Sequence, residues 1–224
     1  MVCVHGYPGG PRDYRYLAPR ILGCRVIRLS LPGQGITPLD TEPDPTVPPR
    51  ARFIQDFLEA MDLNDVVLVG HSMGGGLVSS AANERVRAVA LLASLGLRPH
   101  KGYHDMPRWL PPLAESPLWH LIRPIARQGF RKAGFPSYYS DDTLRHTLRC
   151  AGGVDFGLIA QAHRSLNVPT LVAWSVDDPL IEPEIPRELI EVVPAGPRLE
   201  YQTGGHNIQK DHAEELGAAI AALA

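Results

Sequence analysis

One serine in the chain stands where its hydroxyl could act as a nucleophile. Ser72 lies in Gly70-His71-Ser72-Met73-Gly74, a G-x-S-x-G pentapeptide between the apolar run Asp65–Val69 and the small-residue stretch Met73–Ala82. The first segment reads as a buried parallel strand and the second as a closely packed helix. Strand, sharp turn and helix is the context that makes this motif a nucleophile elbow. Glycines two residues to either side of the serine remove the side chains that would collide across such a turn. The hydroxyl is then held at the C-terminal edge of a sheet, beside the positive end of a helix. A serine hydroxyl remains a weak nucleophile until a base takes its proton, and the base must itself be oriented. Candidates follow two later predicted strands: Asp177 and Asp178 in Ser175-Val176-Asp177-Asp178-Pro179, and His206 in Thr203-Gly204-Gly205-His206-Asn207. His212 lies six residues further on and is expected on the surface of the last helix, while His71 is expected to pack beside the turn.

The elements that must position these residues alternate along the chain. Strands are predicted at Val2–His5, Arg25–Ser30, Val66–Gly70, Val86–Leu92, Thr170–Trp174 and Arg198–Gln202. Helices are predicted at Pro11–Leu22, Pro48–Met61, Met73–Glu84, Glu182–Val193 and Lys210–Leu223. Such alternation implies an α/β fold with a mostly parallel sheet of about six strands and helices on both faces. Ser72, Asp178 and His206 all then fall at C-terminal strand ends, where open α/β sheets carry their sites. Residues 97–157 break the rhythm: prolines and aromatics abound and no strand is evident. This segment reads as short helices joined by proline-bearing turns, a helical cap inserted into a core of residues 1–96 and 158–224. Nine Lys and Arg against five acids give it a balance of +4, which suits either a solvated basic face or an anion site.

Composition narrows the function classes. A hydrophobic content of 44%, a charged content of 21% and a formal net charge of −2 are those of an ordinary globular protein. They give no reason to expect nucleic acid or a membrane surface as partner. No apolar run approaches the roughly 20 residues needed to span a bilayer, and no leader-like segment opens the chain. Cys3, Cys24 and Cys150 are scattered and read as small buried hydrophobes in a reducing, cytoplasmic setting. No histidine pair has zinc-ligand spacing, so neither a metal nor a cofactor is expected.

Four motifs together resemble the α/β-hydrolase superfamily: His5-Gly6-Tyr7-Pro8-Gly9, the Ser72 pentapeptide, Val176-Asp177-Asp178-Pro179 and Gly204-Gly205-His206. Leu31-Pro32-Gly33-Gln34-Gly35 is similar to the family's glycine-bearing turn after the next strand. The order Ser, Asp, His is also the family's. The resemblance implies Ser72 as nucleophile, His206 as base and Asp178 as the orienting acid, since relatives carry the acid directly before a proline. It implies oxyanion donors at the backbone N–H groups of Tyr7 and Met73, and makes Tyr7–Pro8 a candidate cis bond. The activity implied is hydrolysis of small to medium carboxylic esters through an acyl-enzyme. Trp109, Trp119, Phe130, Tyr138 and Tyr139 either line its substrate pocket or pack within the cap. A serine at position 72 argues against epoxide hydrolases and haloalkane dehalogenases, which use aspartate. Proline iminopeptidase, carbon–carbon bond hydrolase and perhydrolase activities stay open, as does a non-catalytic small-molecule receptor. Two departures stand out. The chain begins inside the first strand, so the family's usual N-terminal hairpin is expected to be absent, leaving an exposed sheet edge through which a dimer is possible. Ser30 stands where many relatives have aspartate.

Overall fold

The computed structural model describes residues 1–37, 44–132, 135, 137 and 139–224. Six strands form one sheet: β1 (Val2–Val4), β2 (Ile27–Leu29), β3 (Val66–His71), β4 (Val86–Leu92), β5 (Thr170–Ser175) and β6 (Arg198–Tyr201). Their order is β2-β1-β3-β4-β5-β6 and every neighbouring pair is parallel, as the alternation of elements implies. The central strands are buried on both faces, which is why β3 and β5 read as unbroken apolar runs.

The two faces feed two cores through the period of two along each strand. Val66 and Leu68 of β3 join a cluster with Ile54 and Leu58 of α1 (Val47–Ala60), Leu77 of α2 (Met73–Ala81) and Val89 of β4. Val67 and Val69 point the other way, into a cluster with Tyr14, Leu17, Leu216 and Ile220. Between β4 and β5 run α3 (Lys101–His104), α4 (Leu110–Glu115), α5 (Trp119–Lys132), α6 (Asp141–Gly152) and α7 (Phe156–Arg164). Ile159 of α7 packs into the first core, whereas Leu110, Ala114, Trp119, Ala126 and Leu148 of α4–α6 form a separate small cluster. The chain ends with α8 (Glu184–Ile190), α9 (Ile208–Asp211) and α10 (Ala213–Ala221).

Several predicted helices are corrected. Pro11–Leu22 is two short 3₁₀ turns, Pro11–Tyr14 and Ala18–Arg20, because Pro19 cannot donate to a helical ladder and disfavours the α conformation at Ala18. Met73–Glu84 stops at Ala81, with Ala82 extended and the Asn83 side chain accepting from the Arg85 N–H. Glu182–Val193 shortens to α8, which starts only after Pro183. Lys210–Leu223 is broken at His212 into α9 and α10. His212 is therefore not a residue of one last helix. It sits in the break, its ring stacked on Tyr201 with centroids 3.7 Å apart.

Among the described residues, four of the nine cations of residues 97–157 are ion-paired, Arg98 alone of these with acids outside the segment. Arg98 pairs with Glu182 and Glu188, Arg123 and Arg127 with Asp141, and Arg149 with Glu115.

Candidate active site

The turn from β3 into α2 holds Ser72 at φ 55°, ψ −123°, a conformation that costs a non-glycine residue on the order of 1–3 kcal/mol. Hydrogen bonds from several directions hold it there. The Ser72 N–H donates to the Leu92 carbonyl at 3.0 Å, and the Ser72 carbonyl accepts from Gly75 and Leu95. The flanking glycines are sterically required. A Cβ on Gly70 would stand 2.7 Å from the Gly75 Cα, and one on Gly74 would stand 2.7 Å from the His5 carbonyl oxygen. Across the cleft, a Cβ on Gly6 would come within 2.8 Å of the Ser72 Cβ, so the His5–Gly9 turn lies directly against the serine. Its conformation is held by His5, whose Nε2 accepts from the Leu31 N–H and whose Nδ1–H donates to the Gly6 carbonyl. Burial keeps that imidazole neutral, lowering its pKa to about 4 against an opposing pull from the Gly6 carbonyl. The Tyr7–Pro8 bond in this turn is cis.

The structure brings Ser72, His206 and Asp178 together. The Ser72 hydroxyl and His206 Nε2 are 2.9 Å apart, and His206 Nδ1 lies 2.8 Å from Asp178 Oδ2. Asp178 follows β5 and its side chain is almost wholly buried. Its other oxygen, Oδ1, accepts from the Leu180 and Ile181 N–H groups at 2.8 and 3.1 Å. Burial opposes its ionisation, but the imidazole and those two N–H groups outweigh burial and hold the carboxyl below the ordinary carboxylate range.

The neighbouring aspartate does a different job. Asp177 is exposed, accepts the Gly205 N–H at 2.7 Å and takes the Ser175 hydroxyl on the same oxygen. The Ser175 hydroxyl and then the Gly205 N–H keep it below the usual carboxylate pKa. Gly204 and Gly205 both adopt positive φ, at 130° and 55°, as this turn out of β6 demands. Asp178 thus touches the imidazole, whereas Asp177 fastens the backbone that carries it. A third tie comes from His71, whose Nε2–H donates to the His206 carbonyl at 2.7 Å. His71 is buried and neutral, its pKa lowered to about 3 by desolvation first and by the neighbouring His206 second. His71 does pack beside the turn, and in addition it holds the histidine loop. Neither role of Asp177 nor that of His71 is visible in the sequence, because both run through backbone groups of residues distant in the chain.

Ser72 and His206 open into a cleft of about 270 Å³ also lined by Tyr7, Phe135, Tyr139 and Leu180, with Asp13, Arg15 and Lys210 on its walls. Of the aromatics considered for the pocket, Tyr139 lines it, with its hydroxyl 3.4 Å from the Pro8 carbonyl. Trp119 is instead buried in the α4–α6 cluster, Phe130 packs against that cluster and Trp109 is half exposed. Trp119 and Phe130 lie off the cleft because α5 turns that face toward α4 and α6, whereas Trp109 caps the start of α4. Tyr138 lies outside the described residues. Phe135 and Leu180 join the lining beyond the residues the sequence points to. For Leu180 a signal existed, since the second and third residues after the acid, Leu180 and Ile181, donate their N–H groups to its Oδ1. Met73 opens α2, so its N–H belongs to the first-turn donors that lack an intrahelical acceptor. Among the described residues, no three His, Cys, Asp or Glu side chains converge to hold a metal ion. No helix among them is long and apolar enough to cross a membrane. A second cavity of about 580 Å³, beside Ser79, Asn83, Glu84 and Asn167, opens near the first residue of β4, at the opposite end of the strands.

A sequence model of the alpha/beta hydrolase family matches residues 1–219. The chain is 25% identical over 242 residues to the uncharacterized hydrolase YugF of Bacillus subtilis, spanning 99% of this chain and 88% of that one. An alpha/beta hydrolase fold protein from Burkholderia ambifaria superposes with a TM-score of 0.80 at 19% identity, covering 98% of this chain and 88% of its own. An esterase from Exiguobacterium antarcticum gives a TM-score of 0.77 at 18% identity, over 99% and 90% of the two chains.

Proposed function

The chain belongs to the alpha/beta hydrolase family, and from that premise we propose that it is a serine hydrolase cleaving small carboxylic esters through an acyl-enzyme. His206 Nε2 takes the Ser72 proton as Oγ attacks the ester carbonyl carbon. Asp178 keeps the Nδ1 proton in place, so that Nε2 faces the serine as a lone pair. The N–H groups of Met73 and Tyr7 hold the oxyanion, each such donor being worth roughly 2.7–4 kcal/mol. Collapse of the tetrahedral intermediate breaks the C–O bond, and the imidazolium gives its proton to the leaving alkoxide. A water deprotonated by His206 then releases the acid and regenerates Ser72.

One observation carries this reading: the unbroken chain of hydrogen bonds, 2.9 Å from Ser72 to His206 and 2.8 Å from His206 to Asp178. The modest cleft, walled by Phe135, Tyr139 and Leu180, supports a small apolar acyl or alcohol group. A fluorophosphonate probe and p-nitrophenyl acetate provide the test. The folded protein should be labelled at Ser72 and turn the ester over, and Ser72→Ala should do neither while melting at an unchanged temperature. Absence of labelling in the folded protein would sink the assignment and leave a binding role.

A further inference from the structure

Helix α5 shows apolar side chains on two sides. Trp119, Ala126 and Phe130 face the small cluster with α4 and α6, while Leu118 lies in the turn just before the helix and Leu121 and Ile125 lie on another face one turn apart. These three are 49%, 73% and 58% exposed, which is far more than aliphatic side chains on a satisfied surface need be. Trp109, just before α4, is 49% exposed as well.

The charge on this helix is one-sided. It carries Arg123, Arg127, Arg131 and Lys132 and no acid. Asp141 engages Arg123 and Arg127, but Arg131 and Lys132 have no ion-pair partner among the described residues. Cations at a helix C-terminus suit the helix dipole, which accounts for their position though not for the apolar face beside them.

We propose that this face of α5 docks on an anionic lipid surface. Aliphatic side chains entering the headgroup boundary, with cations meeting the phosphates, is the pattern of an interfacial amphipathic helix. A second copy fits less well. A two-fold interface on α5 would set this helix against its own copy, bringing cations near cations with no acid on the helix to meet them. The whole-chain charge of −2 conceals this, because the acids lie elsewhere. Docking here would also place the cleft near the lipid, since Phe135 and Tyr139, which line it beside Ser72, lie in the chain between α5 and α6. The proposal concerns adsorption and stands apart from the catalytic reading.

The test is co-sedimentation of the full chain with vesicles, either phosphatidylcholine alone or phosphatidylcholine with phosphatidylglycerol. A change in tryptophan emission that Trp109→Phe removes, separating it from Trp119 and Trp174, serves as a second readout. The anionic vesicles should bind at least about tenfold more protein, and less as salt is raised. Leu121→Gln with Ile125→Gln should lower partitioning about tenfold, with circular dichroism unchanged. Arg131→Gln with Lys132→Gln should lower it about fivefold per cation and flatten the salt dependence. Equal partitioning into neutral vesicles, no binding to either kind, or binding indifferent to both double variants would each overturn the proposal. So would a dimer in solution that Leu121→Gln with Ile125→Gln disperses, since that would identify the occupant as a second copy. None of these results depends on ester turnover, so they leave the hydrolase reading to its own test.

Discussion

Replacing Asp178 by asparagine should disable the serine through a tautomer switch, because two backbone donors dictate which way the new amide must face. Oδ1 of Asp178 accepts from the Leu180 and Ile181 N–H groups at 2.8 and 3.1 Å, so the amide oxygen must occupy that position. The amide NH₂ is then turned toward His206 Nδ1, where it can only donate. His206 responds by carrying its proton on Nε2, and that N–H meets the Ser72 oxygen across the present 2.9 Å contact. The base has lost its lone pair while every heavy atom stays in place. A wrong-tautomer base costs about ten-thousandfold in kcat in the best-studied serine triad, or roughly 5 kcal/mol at about 1.4 kcal/mol per decade. The same order is expected here, because Asp178 is buried and no water can replace its carboxylate. Steady-state turnover of p-nitrophenyl acetate measures the loss, with thermal melting to show that the fold survives. Asp177→Asn, which keeps an acceptor for the Gly205 N–H, serves as the matched control and should stay within about tenfold of the native rate. If Asp178→Asn kept a rate within about tenfold of the native enzyme, or fell less than Asp177→Asn, the assignment of the acid would be wrong.

Other expectations follow from the same contacts. Asp177→Ala removes the acceptor of the Gly205 N–H and should lower kcat about tenfold with KM little changed, whereas a KM effect alone would contradict a positioning role. Gly70→Ala drives a methyl to 2.7 Å from the Gly75 Cα and should cost about 1–3 kcal/mol in urea unfolding; an unshifted midpoint would refute the steric argument. His5 and His163 have their pKa lowered to about 4 by burial, and His71 to about 3. The unfolded chain binds protons on these groups below about 6.5, which the folded protein does not until far lower pH. Their contribution to stability is therefore full above pH ~6.5 and declines as pH falls toward 4, so the melting temperature should drop steadily over that window. A flat melting temperature between pH 7 and 5 would show that these imidazoles are not held neutral.

The strands and the two-sided core were the most legible part of the sequence. Strand β4 occupies Val86–Leu92 as read: beyond the exposed Arg87 near its start it is buried on both faces, and Ala88–Leu92 is apolar throughout. Ser72, Asp178 and His206 could be picked out for a related reason. Each follows a strand, and the glycines and proline beside them announce turns. Helix limits were harder. Pro19 and His212 interrupt segments whose apolar spacing suits a helix, and in the second case a ring stacked on Tyr201 outweighs local propensity. The pocket lining was the least legible, since Trp119 and Tyr139 are equally aromatic, yet the first lies on the inward face of α5 and the second in the segment before α6 that reaches the cleft. Asp177 shows the same limit differently. Its partner is a backbone N–H 28 positions away, which no residue type encodes.

The sheet order also bears on how this protein would lose its reactivity under stress. β6 is an edge strand, bonded only to β5, and three of its four residues are incompletely buried. Ser72 hangs from the sheet's interior, but His206 hangs from this margin. Edge elements open in sub-global excursions that leave the remaining strands paired. The serine and its base can therefore part company while most of the domain remains native. Inactivation by heat or denaturant would precede the collapse of secondary structure, and reactivity would return as soon as the margin re-docks. The order of assembly runs the same way. His206 follows Ser72 by 134 positions, so a chain still being synthesised carries an elbow before it carries the base.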